Sequence, residues 1–307
     1  MSNQFEIESS DTEIVVRAGE VEIATYAFRP ETPAREAPKP YLYPLRFLDG
    51  GPAAVRRPWD HRWHVGLQFT WSHVDTQNFW GGPTFSREHG YQYLDNKGSM
   101  RHVEFRNKPT GGSEVLLDES LEWITSTGEH WFDEHRLHRF HSLDTERGVW
   151  AVDLTTVLTN VRGSTIPLGS PTTAGRPDAG YTGWFWRGPR SWTGCELMSS
   201  DALVDQNEIM GTAASRWVAF QNQHDEQDGG GTVIAYRGTA SSADADVPPV
   251  KWFTRTTPFA VASQSPAFDQ EILLPNHGVL RLNHRFVFAA GIRDSEQVMR
   301  LAEDLAL

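Results

Sequence analysis

Asp60, His61 and His64 put a carboxylate and two imidazoles within five positions of the run Arg57-Pro58-Trp59-Asp60-His61-Arg62-Trp63-His64-Val65-Gly66-Leu67. Such a set can move protons, hold a metal ion, or hydrogen-bond the hydroxyls of a substrate. A strand over 63–69 would turn His64 and Arg62 to one face and Trp63 to the other, leaving His61 at its mouth. The spacing is not the helical HExxH of zinc enzymes, and strand neighbours diverge, so Asp60 and His61 can converge only from an irregular turn. No metal site is read from them. The plain competitor is a pair of structural histidines satisfied within an aromatic strand. Clustering favours function, because grouped polar side chains in an apolar setting are typical of binding sites.

Two further runs could complete a pocket. Asn78-Phe79-Trp80-Gly81-Gly82 offers an amide and an indole, and Gly180-Tyr181-Thr182-Gly183-Trp184-Phe185-Trp186-Arg187-Gly188-Pro189-Arg190 offers rings and two guanidinium groups among turn-permitting glycines. Aromatic faces stack on the C–H faces of sugars, and arginines donate paired hydrogen bonds to hydroxyls, carbonyls or carboxylates. Against this, Trp184, Phe185 and Trp186 suit a core equally well, whereas Arg187 is assigned to function. The substrate-binding candidates are Asp60, Asn78, Trp80, Tyr181, Trp184, Arg187 and Arg190. Beside His61 and His64, the acid–base candidates are His102, Glu122 and Asp153, each in an expected strand where an inward polar group needs a partner. His284 and Arg285 are of the same kind. His130, His135, His138 and His141 read as a solvated strand face, and Arg255-Thr256-Thr257-Pro258-Phe259 as a structural turn. There is no phosphate-cradling glycine loop, GxSxG elbow or dinucleotide fingerprint.

Strands must position these groups. Residues 12–17 and 21–28 read as a hairpin, and 30–40, with four prolines, as a surface crossing. Further strands are expected at 41–47, 65–71, 98–106, 120–126, 150–160, 216–222, 232–237, 251–262, 270–274 and 279–290. Residues 129–143 also fit an amphipathic helix, but a two-faced strand is preferred. One helix, capped by Asp294 or Ser295, carries Val298, Leu301, Ala302 and Leu305 on one face and should pack outside the sheets. Residues 225–231 and 240–249 read as mobile loops. No internal repeat suggests a propeller or solenoid. The expectation is an all-β protein: one domain over 1–307, a large antiparallel β-sandwich with a short C-terminal helix.

The totals bound the partners. A chain of 307 residues can bury a large core, and 12 Trp are enough to line a cleft as well. The net charge of −12, with no dense Lys/Arg run, disfavours nucleic acid and anionic membrane surfaces and favours a neutral polyhydroxylated or small polar substrate. Cys195 is alone, which excludes an intrachain disulfide and a multi-cysteine metal site and points to a reducing compartment. The N-terminal residues show no secretory pattern and no apolar run approaches the ~20 residues of a membrane span, so a cytoplasmic location is expected. No cofactor is expected, and the oligomeric state is not readable.

Tyr41-Leu42-Tyr43-Pro44-Leu45-Arg46 with Asp49-Gly50, the block 58–66, Asn78 to Gly82, Gly180 to Arg187, and Asn283-His284-Arg285-Phe286 together resemble the DUF6807 proteins, often labelled the PmoA family or methane oxygenase PmoA. The resemblance covers most of the chain. It implies a galactose mutarotase-like supersandwich, in bacterial genes often found beside sugar oxidoreductases and sugar-responsive regulators. The oxygenase label conflicts with physics, because genuine particulate methane monooxygenase subunits are membrane proteins and this chain lacks a span. Trp63 between the two histidines departs from the usual pattern of the block. Three functions are weighed. The first is a carbohydrate-active enzyme using His61 or His64 with Glu122 or Asp153 on a sugar, keto-sugar or glycoside, with Trp80, Trp184 and Arg187 positioning the ring. The second is a non-catalytic sugar-binding or regulatory module, and the third a metal-dependent enzyme with histidines from distant strands.

Overall fold

Alternation of apolar and polar residues builds the long strands. In His130–Asp144, Phe132, Glu134, Arg136, His138 and Phe140 turn inward while Asp133, His135, Leu137 and Arg139 turn outward. The computed structural model describes residues 3–200, 202–225 and 227–306. Numbered in chain order, the strands of the first large sheet lie as β1 (Phe5–Ser9), β2 (Glu13–Ala18), β3 (Val21–Ala27), β4 (Tyr41–Leu45), β5 (Leu67–Trp71), β14 (Thr182–Arg187), β19 (Val261–Ser265) and β18 (Lys251–Arg255). The second lies as β15 (Glu196–Ser199), β16 (Trp217–Gln223), β17 (Gly230–Ser241), β21 (Val279–Ala290), β12 (Val149–Asn160), β11 (His130–Asp144), β10 (Val115–Ile124) and β9 (Ser99–Phe105). Two small sheets complete it: β20 (Ile272–Leu274), β13 (Ile166–Gly169) and β6 (His73–Val74), then β7 (Thr84–Ser86) with β8 (Gly90–Gln92). Neighbours in both large sheets are antiparallel, so the all-β antiparallel sandwich expected from the sequence is the observed fold.

The large sheets meet face to face over an aromatic core. Phe69 on β5 lies 5.9 Å from Trp123 on β10, and Trp186 on β14 lies 5.2 Å from Phe220 on β16, between ring centroids. Burial of each such side chain contributes roughly 1.5–3 kcal/mol. Part of each outer face is also covered, in different ways. The helix α2 (Ser295–Asp304) lays Val298, Leu301 and Ala302 on the back of the second sheet, with Asp294 closing a capping box through Gln297. A shorter helix, α1 (Gln206–Ile209), touches β18. Loops cover the first sheet, where Trp80, Phe185, Phe253, Val261 and Phe268 form an apolar cluster separate from the main core. No helix among the described residues is long and apolar enough to cross a membrane.

Several element boundaries differ from the expectation. Residues 251–262 form two strands around a turn rather than one, and β14 is a buried central strand although the glycines in and around it permit turns. Residue 226, in the expected loop 225–231, lies outside the described residues. The strand expected from Trp63 begins only at Leu67, because the preceding residues are consumed by turns in which His61 N–H donates to Pro58 O and His64 N–H to His61 O. Gly66 ends those turns at φ +58°, where a Cβ would sit 2.1 Å from Leu42 O, so only glycine fits.

Candidate functional site

The site is built outward from β14. Its pairing of Trp184 with Phe69 turns Trp184 and Trp186 into the sandwich, and the alternation then sends Phe185 and Arg187 to the outer face. The turns of residues 58–66 fold over the end of that face. Arg187 Nη1 lies 3.1 Å from His64 Nδ1, and its Nη2 is 3.6 Å from Asp60 Oδ2. His61 Nδ1 lies 3.1 Å from the same Asp60 oxygen, while Arg190 Nη1 is 3.3 Å from Asp60 Oδ1. The two imidazoles stack at 4.6 Å and 27°. Two stretches more than a hundred residues apart in sequence therefore meet, and the meeting is polar.

Those partners set opposite proton positions on the two rings. A guanidinium only donates, so His64 Nδ1 accepts and the ring carries its proton on Nε2. A carboxylate only accepts, so His61 donates Nδ1–H to Asp60 and keeps a lone pair on Nε2. Neither Nε2 has a hydrogen-bond partner among the described residues, and both rings line the same cavity. Both are neutral at pH 7. Burial lowers the His61 pKa despite the Asp60 carboxylate, and burial, the charge His61 would carry if protonated, and the Arg187 and Lys39 cations hold His64 far below the ordinary value. Burial also lowers Arg187 to about 10, while the His61 hydrogen bond and the Arg187 charge outweigh burial to keep Asp60 ionised.

The cavity encloses about 380 Å³. Trp63, Trp80, Phe185, Phe253 and Phe259 form its walls, and Tyr91, Arg176, Tyr181 and Arg255 its far end. Trp80 packs at 4.7 Å from Tyr181 and 5.2 Å from His64, so the indole bridges both ends. Its loop is fixed from below. Asn78 Oδ1 accepts from the backbone N–H groups of Trp80 and Gly81, each at 2.8 Å, and the buried Lys39 ammonium donates to the carbonyls of Trp80, Glu36 and Ala37 at 2.8–3.0 Å. Trp63 lies against Gly81 and Gly82, where a Cβ would approach to within 2.7 Å and 2.5 Å of its side chain. Among the described residues, no group of three or more His, Cys, Asp or Glu side chains is arranged to hold a metal ion.

A family model for DUF6807, described as a family of unknown function, matches residues 13–303. The chain belongs to the DUF6807 family. No curated protein matches this DUF6807 chain. Among solved structures, it is similar to a provisionally assigned aldose 1-epimerase from Klebsiella pneumoniae, at 11% identity and a TM-score of 0.40, over 95% of this chain and 82% of that one.

The remaining expected residues of this DUF6807 protein lie elsewhere. His61, His64, Trp80 and Tyr181 line the cavity, with Asp60, Arg187 and Arg190 directly behind or beside the histidines. Trp184 is on the wrong face of its strand: it packs in the sandwich interior, 5.5 Å from both Phe69 and His138, and donates to Thr156. Asn78 organises the Trp80 loop and does not reach the cavity. His102 is buried between the sheets, 2.5 Å from Glu119 and packed on Phe28. Glu122 and Asp153 are on the outer face of the second sheet, across the sandwich from the histidines. Glu122 pairs with Arg101 at 2.5 Å, and Asp153 is held far below the carboxylate range by His141 and Arg285, against the opposing effect of burial. The four histidines of β11 are not one solvated face, since His138 is wholly buried and His130 and His135 are outside. Arg255, Pro258 and Phe259, expected to be only a turn, line the cavity. Their signal was available: Phe253 and Arg255 are two apart on a strand and share the face of Phe185. Tyr91 comes from the short strand β8 and Arg176 from a loop, and neither carries such a pattern.

Proposed function

We propose that the cavity binds a single sugar unit and transfers a proton at its anomeric hydroxyl or at the carbon adjacent to its carbonyl, His61 Nε2 taking that proton and His64 Nε2–H donating to the ring or carbonyl oxygen that gains charge. The reading rests on one observation, two stacked imidazoles at the floor of an aromatic cavity whose Nδ1 atoms face a carboxylate on one ring and a guanidinium on the other, which sets their protons on opposite nitrogens. An acceptor and a donor side by side are what ring opening, mutarotation or enolisation of a sugar requires. Aromatic walls supply the C–H stacking surface, and about 380 Å³ is the small end of the ligand-pocket range. Arg187 and Asp60 act as positioning residues, because each fixes which nitrogen of its histidine carries the proton. A panel of aldoses, ketoses and sugar acids is screened by tryptophan fluorescence for binding and by NMR for exchange of anomers or of C–H hydrogen. His61→Asn and His64→Asn should each lower the exchange rate about 10²-fold or more while binding persists. Unchanged turnover of a confirmed substrate in both variants overturns the reading.

A second reading is a binding module without turnover. It is favoured by the wall itself, which contains no carboxylate among the described residues. Saturable quenching by a sugar, with no exchange above the uncatalysed rate, would select it.

A further inference from the structure

The end of the cavity away from the histidines carries charge that the proton-transfer scheme does not use. Arg255 extends from the last residue of β18, and Arg176 reaches in from the loop before β14. In register, Arg255 and Arg187 lie on either side of Val261, so their backbones are two strand spacings, roughly 10 Å, apart on one face. Between those cations lies the aromatic part of the cavity.

Neither Arg176 nor Arg255 has an ion-pair partner among the described residues. Arg176 Nη1 donates to the Tyr91 hydroxyl, which lies 2.7 Å from the Tyr181 hydroxyl. Arg255 Nη2 makes one long contact, 3.5 Å, to the Asp178 carbonyl, and its Nε is buried without a partner. The Asp178 carboxylate attracts Arg255 only weakly and does not reach it. Burial, and then the Arg176 charge, lower the Arg255 pKa, as expected of two cations left facing one another. A chain of net charge −12 thus places four guanidinium groups around a single cavity, and Asp60 pairs with only two of them, Arg187 and Arg190.

We propose that Arg176 and Arg255, with the Tyr91–Tyr181 hydroxyl pair, form a carboxylate subsite, and that the substrate is a sugar acid whose carboxylate sits there while its reactive carbon faces His61 and His64. The inference rests on the sugar-binding reading above. Two planar guanidinium forks and aromatic hydroxyls match the flat, two-oxygen carboxylate. A phosphate would more commonly be met by backbone N–H groups at a glycine loop or helix start, and the cavity wall has neither.

The test compares affinities for an aldohexose, the matching hexuronate and the matching 6-phosphate by fluorescence titration, in the wild type, R176Q and R255Q, with thermal melts as a folding control. R255K, which keeps the charge and loses the fork, is the second variant. The hexuronate is expected to bind about tenfold or more tightly than the aldose, and that ratio should collapse toward one in R176Q and R255Q and fall part-way in R255K. Equal affinity for hexuronate and aldose, or a preference untouched by the variants, overturns this inference and leaves the sugar-binding reading standing. A phosphate preference with the same arginine dependence overturns the carboxylate assignment. Failure of every sugar to bind overturns both.

Discussion

Asp60 fixes the proton on His61, and that single contact governs how the site should respond to pH. As an acceptor His61 works only when neutral, and its folded pKa lies below 6.5. The rate should therefore be flat near pH 7 and fall as the pH drops through that lowered value. Burial lowers the His61 pKa and Asp60 partly restores it, so Asp60→Asn should move the acid limb to still lower pH while lowering the plateau, because the ring loses its orientation. A pH–rate profile of the two proteins checks this, and an unmoved acid limb would separate Asp60 from His61. The sequence made this chemistry visible as a cluster of types, but not as an arrangement. Asp60 and His61 were legible as partners only if the backbone turned, and the turn depends on Gly66 fitting beneath Leu42 O, a tertiary contact.

The elements beneath the site were less legible. Alternation revealed the strands themselves, but a central strand such as β14 is buried on both faces, Thr182 to Arg187 throughout, so its burial pattern holds no period from which to choose a face. That is why Trp184 was assigned to the pocket and Phe185 was not singled out. Asn78 was chosen for its chemistry, yet its amide does the work of a turn. Asn78→Ala would leave two buried N–H groups without their acceptor, each costing about 1–3 kcal/mol, and would release Trp80 from the cavity wall. A lower unfolding midpoint together with weaker sugar quenching is the expected outcome. A loss of binding with full stability would place Asn78 in the pocket instead.

Across the whole molecule, the sandwich interior carries a polar seam that no local pattern announces. Glu119 receives His102 and Tyr26, while Glu134 accepts two hydrogen bonds from Arg136, at 2.6 Å and 2.8 Å, and one from Trp123. Reading Glu122 as inward and the β11 histidines as solvent-facing places this seam on neither strand; Glu134 meets Arg136 two residues along its own strand, while Glu119 takes its partners from β9 and β3. Near this seam His138 and His284 are buried: among the described residues neither ring nitrogen of His138 has a hydrogen-bond partner, and at His284 the Gln264 backbone only partly offsets burial. Burial holds both neutral, His284 down to about 3 and His138 well below the ordinary value. The unfolded chain takes up these protons below about 6.5 and the folded one does not. Stability is therefore full above that pH and should fall as pH drops from 6.5 toward 3, by about 1.4 kcal/mol per pH unit for each buried imidazole. Urea midpoints at pH 7, 6 and 5 measure it, and His284→Leu should remove one such contribution while leaving stability at pH 7 little changed. An unaltered pH slope in that variant would show that His284 is protonated in the fold.

The proposed chemistry depends on where two protons sit, and their positions can be read without knowing the substrate. Long-range ¹H–¹⁵N NMR of the histidine side chains at pH 7 distinguishes the two neutral forms of each ring. His61 should show its proton on Nδ1 and His64 on Nε2, with Arg187→Gln disturbing His64 and Asp60→Asn disturbing His61. Finding the same form on both rings, or a charged imidazolium on either, would contradict the account.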